Sequence, residues 1–129
     1  MRINFWLIVR ILSSIAFILF VVFLLLFIFE PAGFGGAAIS NSSSLWYALS
    51  IAFMTTVSSL SLLLAINPER FWYMMAPLVA GKAASSIASL ILISRAFSSP
   101  FLRMNMLGDG AIALIFLILL IFAYRKTKI

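Results

Sequence analysis

Two residues of opposite charge, Lys82 and Asp109, lie inside long apolar runs of this sequence. A helix that begins near Phe71 would place Lys82 about 16 Å from its start, at a rise of about 1.5 Å per residue. A helix that ends near Tyr124 would place Asp109 about 22 Å from that end. The axial offset of about 6 Å is within reach of an extended lysine side chain. Asp109 is therefore the candidate partner of Lys82.

The pairing has two alternatives. If the last helix begins at Gly108, Asp109 is an acid in a first helical turn, where the helix dipole favours it, and Lys82 extends towards water. Arg95 or Arg103 could instead hold Asp109 near a membrane surface. A lysine in the middle of hydrocarbon costs about 2.5–3.5 kcal/mol, so Lys82 needs a partner, water or a neutral amine. A Lys82–Asp109 pair would serve to fix helix register, or for transport or ligand binding.

Small polar side chains recur at helical spacing near these charges. They pack helices closely and often bond to carbonyls of their own helix, or they line a polar path. We expect the second and third helices to form an antiparallel hairpin with these residues facing inward. The candidates for polar packing or a path are Asn105, Ser58, Ser61, Ser85, Ser86 and Ser89.

The composition indicates what kind of elements position these residues. Hydrophobic residues make up 65% of the 129 residues and charged residues 9%, whereas soluble domains average about 45–50% and about 25%. About 20 apolar residues cross a bilayer as a helix. We predict an all-α, integral membrane four-helix bundle that forms a single transmembrane domain over residues 1–129. Its helices are expected at about residues 5–29, 45–66, 71–94 and 100–124.

Several local patterns support these boundaries. The first run is longer than the apolar core of a signal peptide, about 7–15 residues, so we expect an uncleaved helix. A Gly- and Ser-rich loop is expected at 31–44. Asn67-Pro68 should separate the second helix from the third. Ser99 is expected to cap the fourth helix, with Pro100 at its first position.

The distribution of Lys and Arg predicts the orientation. Positive residues favour the cytoplasmic side of a membrane. Arg95 and Arg103 mark one side, and six residues mark the other, so both termini should be cytoplasmic in a multi-pass protein of the cell (inner) membrane. The six are Arg2, Arg10, Arg70, Arg125, Lys126 and Lys128.

The residue types limit the chemistry. The sequence has no Cys and no His, which removes disulfides, thiol nucleophiles and most transition-metal sites. We therefore expect neither a metal nor a cofactor. The basic residues mark the ends of apolar runs, as in membrane proteins, so we expect the lipid bilayer and no nucleic acid as a partner. The first helix has almost no small residues after Ala16 and should be peripheral or contact another subunit.

A few positions resemble a known group of proteins. Asn67-Pro68-Glu69-Arg70, Gly81-Lys82 and Gly108-Asp109 together resemble small prokaryotic four-helix membrane proteins with no assigned activity. The resemblance covers the last three helices and implies the fold alone. Small multidrug transporters are similar in size but use a membrane-embedded Glu in the first helix, where this sequence has no acid before Glu30.

These observations favour a non-enzymatic membrane protein that acts through association, such as a small accessory subunit of a membrane complex, with a protein partner or as a homo-oligomer. The alternative is a small oligomeric transporter or channel that uses Lys82 and Asp109. An intramembrane enzyme with a serine nucleophile and a neutral Lys82 as base is a third hypothesis. No nucleophile motif distinguishes any serine, so we predict no catalytic residue.

Overall fold

The computed structural model describes residues 4–29, 44–95 and 99–128, and within these ranges every regular element is helical. The helices are α1 (Phe5–Phe29), α2 (Ser44–Ile66), α3 (Pro68–Ser94) and α4 (Pro100–Thr127). Each is long and apolar enough to cross a membrane. The prediction of four apolar helices typical of a multi-pass membrane protein is therefore confirmed. The predicted loop before Ser44 and the topology residue Arg2 lie outside the described residues.

The chain divides into two compact units, Met1–Pro68 and Glu69–Ile129. In the first unit α1 packs against α2, and in the second α3 packs against α4. Three predictions concern both units together. They are the single domain, the bundle of all four helices, and the hairpin of the second and third helices, and all three stay predictions.

The start of α3 differs from the predicted boundary. The helix begins at Pro68, three residues before the predicted start at Phe71, and Asn67 alone separates it from α2. Proline suits a first helical turn because its missing N–H would have no helical partner there. Residues Trp72–Met74 form a 3₁₀ turn before the α-helix resumes at Met75–Ser94. Pro77 lies just beyond, and proline inside a helix disrupts the preceding turn through its ring and its missing N–H.

The start of α4 agrees with the sequence pattern. The Ser99 Oγ accepts a hydrogen bond of 3.2 Å from the Phe101 N–H, and Pro100 is the first helical residue. The predicted cap is therefore confirmed. Because α4 is continuous from Pro100 to Thr127, the alternative in which the helix begins at Gly108 is wrong.

Hydrogen bonds at opposite ends of the first unit join its antiparallel helices. The Tyr47 hydroxyl of α2 donates to the Phe27 carbonyl at 2.9 Å. The Arg10 Nη2 of α1 donates to the Ile66 carbonyl at 3.2 Å. The last carbonyls of a helix lack partners within it, so each helix of this unit caps the C-terminal end of the other.

The faces buried in the first unit follow helical periodicity. On the buried face of α1, Ser13 is fully buried, and its hydroxyl has no hydrogen-bond partner among the described residues. Large apolar side chains on the outer surface of α1, such as Ile18 and Phe29, are exposed. The buried residues are Val9, Ser13, Ala16 and Phe20 of α1, and Val57, Ser58, Ser61 and Leu64 of α2.

Candidate functional site

An ion pair joins the two helices of the second unit. The Lys82 Nζ lies 2.8 Å from the Asp109 Oδ1, and the two side chains are 8% and 10% exposed. This distance is typical of a charge-assisted hydrogen bond. Lys82 lies near the middle of α3, and Asp109 lies in the third turn of α4. Among the described residues, neither Arg95 nor Arg103, both exposed, forms an ion pair with Asp109.

An amide contact lies one turn away from the ion pair. The Asn105 Nδ2 of α4 donates to the Ser85 Oγ at 3.0 Å and to the Ser89 Oγ at 2.9 Å, both on α3. Asn105 precedes Asp109 by four residues, so both side chains leave α4 on the same face. Lys82, Ser85 and Ser89 follow the matching face of α3 at spacings of three and four residues. The antiparallel register therefore brings two rows of polar side chains together.

The two helices approach each other closely at Ser86 and Gly110. The Ser86 Oγ donates to the Met106 carbonyl of α4 at 2.7 Å. A Cβ atom built on Gly110 would lie 2.9 Å from the Ser86 Oγ, which is closer than side chains tolerate. Gly110 thus provides the space that lets the Ser86 hydroxyl reach the backbone of α4.

We call these residues the polar band. Four hydrogen bonds of the band, the ion pair included, connect α3 with α4: Lys82 and Ser86 of α3 donate two of them, and Asn105 of α4 donates the other two. Sequence reasoning identified the charged, amide and serine members but missed Met106 and Gly110. Gly110 could have been suspected because glycine inside a helix is unfavourable by about 1 kcal/mol relative to alanine. The band consists of Lys82, Ser85, Ser86 and Ser89 of α3, and Asn105, Met106, Asp109 and Gly110 of α4.

The two candidate serines of α2 have different partners. The Ser58 hydroxyl donates to the Met54 carbonyl at 2.7 Å, and the Ser61 hydroxyl donates to the Val57 carbonyl at 2.9 Å. Both acceptors belong to α2 itself, as in the expected bonding of serine to its own helix. Both serines lie in the other unit from the polar band, and a path that includes them stays a prediction.

The contacts of the polar band determine what chemistry its groups are arranged for. The Ser85 and Ser89 hydroxyl oxygens accept hydrogen bonds from the Asn105 amide, and the Ser86 hydroxyl donates to a carbonyl. Among the described residues no group of three His, Cys, Asp or Glu could hold a metal ion. The observed bonds connect two helices and neutralise two buried charges.

No model of a known protein family, no curated protein and no solved structure matches this chain. The resemblance to small prokaryotic membrane proteins stays a prediction.

Proposed function

We propose that this protein is a non-enzymatic, multi-pass protein of the cell (inner) membrane that acts through association, as a small accessory subunit of a membrane complex. The main support is the polar band, whose four hydrogen bonds run between α3 and α4. Groups bonded in this way fix the register of two helices. In this proposal the Lys82–Asp109 pair has a structural role, and the exposed surface of the helices contacts lipid or partner proteins.

The outer surface of the helices supports the same proposal. Large apolar side chains are exposed on both units, among them Ile18 and Leu25 of α1 and Leu114 and Phe122 of α4. Such side chains contact lipid or neighbouring membrane helices, whose association depends on close packing. The four helices account for most of the chain, so association within the bilayer is the interaction for which its surface is suited.

The proposed orientation has both termini in the cytoplasm. Six basic residues lie on the side of the termini and two on the other, which is the bias expected of cytoplasmic segments. Cysteines introduced singly near Arg95 and near Lys128 can test this. A membrane-impermeant maleimide added to intact cells should label the first and not the second, and the reverse pattern would contradict the orientation.

The association is tested by mild extraction of the tagged, full-length protein from its native membrane and mass spectrometry of what remains bound. A partner protein in constant stoichiometry is expected. The Lys82→Met/Asp109→Leu double variant should retain that partner, because it replaces both charges by apolar groups of similar size. Recovery of a homo-oligomer alone, at the same yield as the protein, would overturn the proposal.

The buried ion pair itself favours a second candidate, a small oligomeric transporter or channel. Ionisable residues inside membrane helices are functional candidates because they are costly to keep there. Purified protein in liposomes should then carry a proton or cation current, measured with dyes inside the vesicles. The Lys82→Met/Asp109→Leu variant should abolish that current, whereas Ser59→Ala should leave it unchanged, because that exposed hydroxyl bonds to the Thr55 carbonyl of its own helix. A wild-type protein without a current, or a double variant with the wild-type current, rules this candidate out.

A further inference from the structure

Basic side chains gather at one end of the second unit. The ring centroids of Trp72 in α3 and Tyr124 in α4 are 6.3 Å apart, which places the start of α3 beside the end of α4. Arg70 precedes Trp72 by two residues, and Arg125, Lys126 and Lys128 follow Tyr124. All four basic residues are exposed. Glu69 is the one acid in the neighbouring sequence, so this end carries a net positive charge.

Three of these cations lie at the C-terminal end of α4. Arg125 and Lys126 belong to the last turn of α4, which continues to Thr127. The Lys128 Nζ lies 4.5 Å from the centre of the Tyr124 ring, a distance typical of a cation–π contact. We call Arg70, Arg125, Lys126 and Lys128, together with the rings of Trp72 and Tyr124, the cationic end.

We propose that the cationic end binds the phosphate headgroup of an anionic phospholipid. Clusters of four or more Lys and Arg next to a membrane helix attract anionic lipids, and Arg guanidinium groups can bond two phosphate oxygens at once. Trp and Tyr rings are typical of the membrane interface, so the cations lie at headgroup depth. The opposite end of the same unit has two exposed cations, Arg95 and Arg103, and provides a matched control.

A different role for the same cations needs no lipid. Basic residues at the end of α4 complement the helix dipole, and they bias the orientation of the chain during insertion. Neither effect selects one lipid over another in a detergent micelle, which has no inside or outside. Lipid selection in micelles therefore separates the proposed site from both roles.

The test uses the purified full-length protein in micelles that contain phosphatidylglycerol or phosphatidylcholine with the same acyl chains. Bound lipid is counted by native mass spectrometry. The wild type should retain phosphatidylglycerol selectively. Arg125→Gln/Lys126→Gln/Lys128→Gln should lower that retention by about fivefold for each charge removed, while Arg95→Gln/Arg103→Gln should keep it. Circular dichroism should show unchanged helix content in both variants.

Two further measurements distinguish an ordered site from general attraction. Tyr124→Leu removes the ring beneath Lys128 without changing the charge, and it should lower retention by about two- to fivefold. Millimolar inorganic phosphate should not displace the lipid. The proposal is overturned by a wild type without selectivity, by an equal loss in the Arg95/Arg103 control, by full retention in Tyr124→Leu, or by displacement with phosphate.

Discussion

In the first unit the hydrogen bonds that cross between helices lie at the helix ends, whereas in the second unit they lie along the inner part of the helices. Arg10 and Tyr47 each reach a terminal carbonyl of the partner helix. By contrast, the Lys82–Asp109 pair connects the middle of α3 with the third turn of α4, and the Asn105 amide connects the second turn of α4 with Ser85 and Ser89 of α3. Serine illustrates the same contrast, because Ser61 bonds within α2 while Ser86 bonds across to α4.

The contrast teaches that the two pairs of helices depend on polar groups to different degrees. Donors at helix ends satisfy carbonyls that water or headgroups could also reach. Donors inside a membrane helix satisfy groups that would otherwise face hydrocarbon. We therefore expect α3 and α4 to be sensitive to the loss of single polar atoms, and the buried middle of α1 and α2 to tolerate it. The following substitutions test this difference through the free energy of unfolding in mixed micelles.

The largest effect is expected from breaking the ion pair. Lys82→Met or Asp109→Leu alone should lower the free energy of unfolding by about 3–5 kcal/mol, because each leaves one buried charge without its partner. The double variant should recover most of the loss, since two apolar side chains replace the pair. If the double variant is as unstable as either single variant, the ion pair itself stabilises this unit, and the loss in the single variants is not due only to an unpaired buried charge.

The opposite sign is expected in the first unit. Ser13→Ala should raise the free energy of unfolding by about 1 kcal/mol, because it removes a buried hydroxyl that has no partner among the described residues. Ser61→Ala is the matched control on α2, since its hydroxyl bonds to its own helix, and it should change stability by much less. If Ser13→Ala destabilises the protein instead, the Ser13 hydroxyl forms a hydrogen bond in the folded protein.

Two glycines of α4 provide a paired test of close approach. Gly108→Ala should stabilise the protein by about 0.8–1 kcal/mol, because a Cβ there meets no atom within 4 Å and alanine favours helix. Gly110→Ala should stabilise the protein by about 0.6 kcal/mol less than Gly108→Ala does, because its Cβ displaces the Ser86 hydroxyl from the Met106 carbonyl. In a Ser86→Ala background the two glycine substitutions should have equal effects. If the two glycine substitutions still differ in the Ser86→Ala background, the Cβ at position 110 is crowded by a group other than the Ser86 hydroxyl.

The smallest effect distinguishes the serines. Ser86→Ala should cost about 0.6 kcal/mol, the average for a hydrogen bond between membrane helices. Ser58→Ala should be close to neutral, because that hydroxyl donates to a carbonyl of its own helix. The same pair of substitutions can be followed by hydrogen exchange at α4, where only Ser86→Ala should increase the rate. Equal costs for both serines would remove the distinction between the two units.

The sequence predicted the elements well because their causes are local. Long apolar runs define the four helices, Asn67-Pro68 ends α2, and Ser99-Pro100 begins α4. Depth made Asp109 the candidate partner of Lys82, since a constant rise per residue converts position in a helix into distance along it, and the structure was needed to decide against the alternatives. The early start of α3 at Pro68 was missed, although a proline at a first helical position is itself a local pattern.

The partners of polar atoms depend on how each helix is rotated about its own axis, and no local pattern specifies that rotation. Ser61 and Ser86 have the same side chain and both lie inside apolar runs of the sequence, yet one bonds within its helix and the other across. Arg10 was interpreted as a topology residue, but it also caps α2. The tyrosine cap on α1 was not anticipated at all, because its acceptor lies 20 residues earlier in the chain.

The separation of Lys82 and Asp109 by 27 residues has a consequence for biogenesis. In the proposed membrane topology, α3 reaches the bilayer before α4, because the chain emerges from the ribosome N-terminus first. Lys82 alone would oppose insertion of that segment by about 2.5–3.5 kcal/mol until α4 arrives. The segments α3 and α4 should therefore enter the bilayer together as one neutral pair. From Ile11 to Ile66 the described residues of α1 and α2 have no charge, so these two helices can enter one after the other.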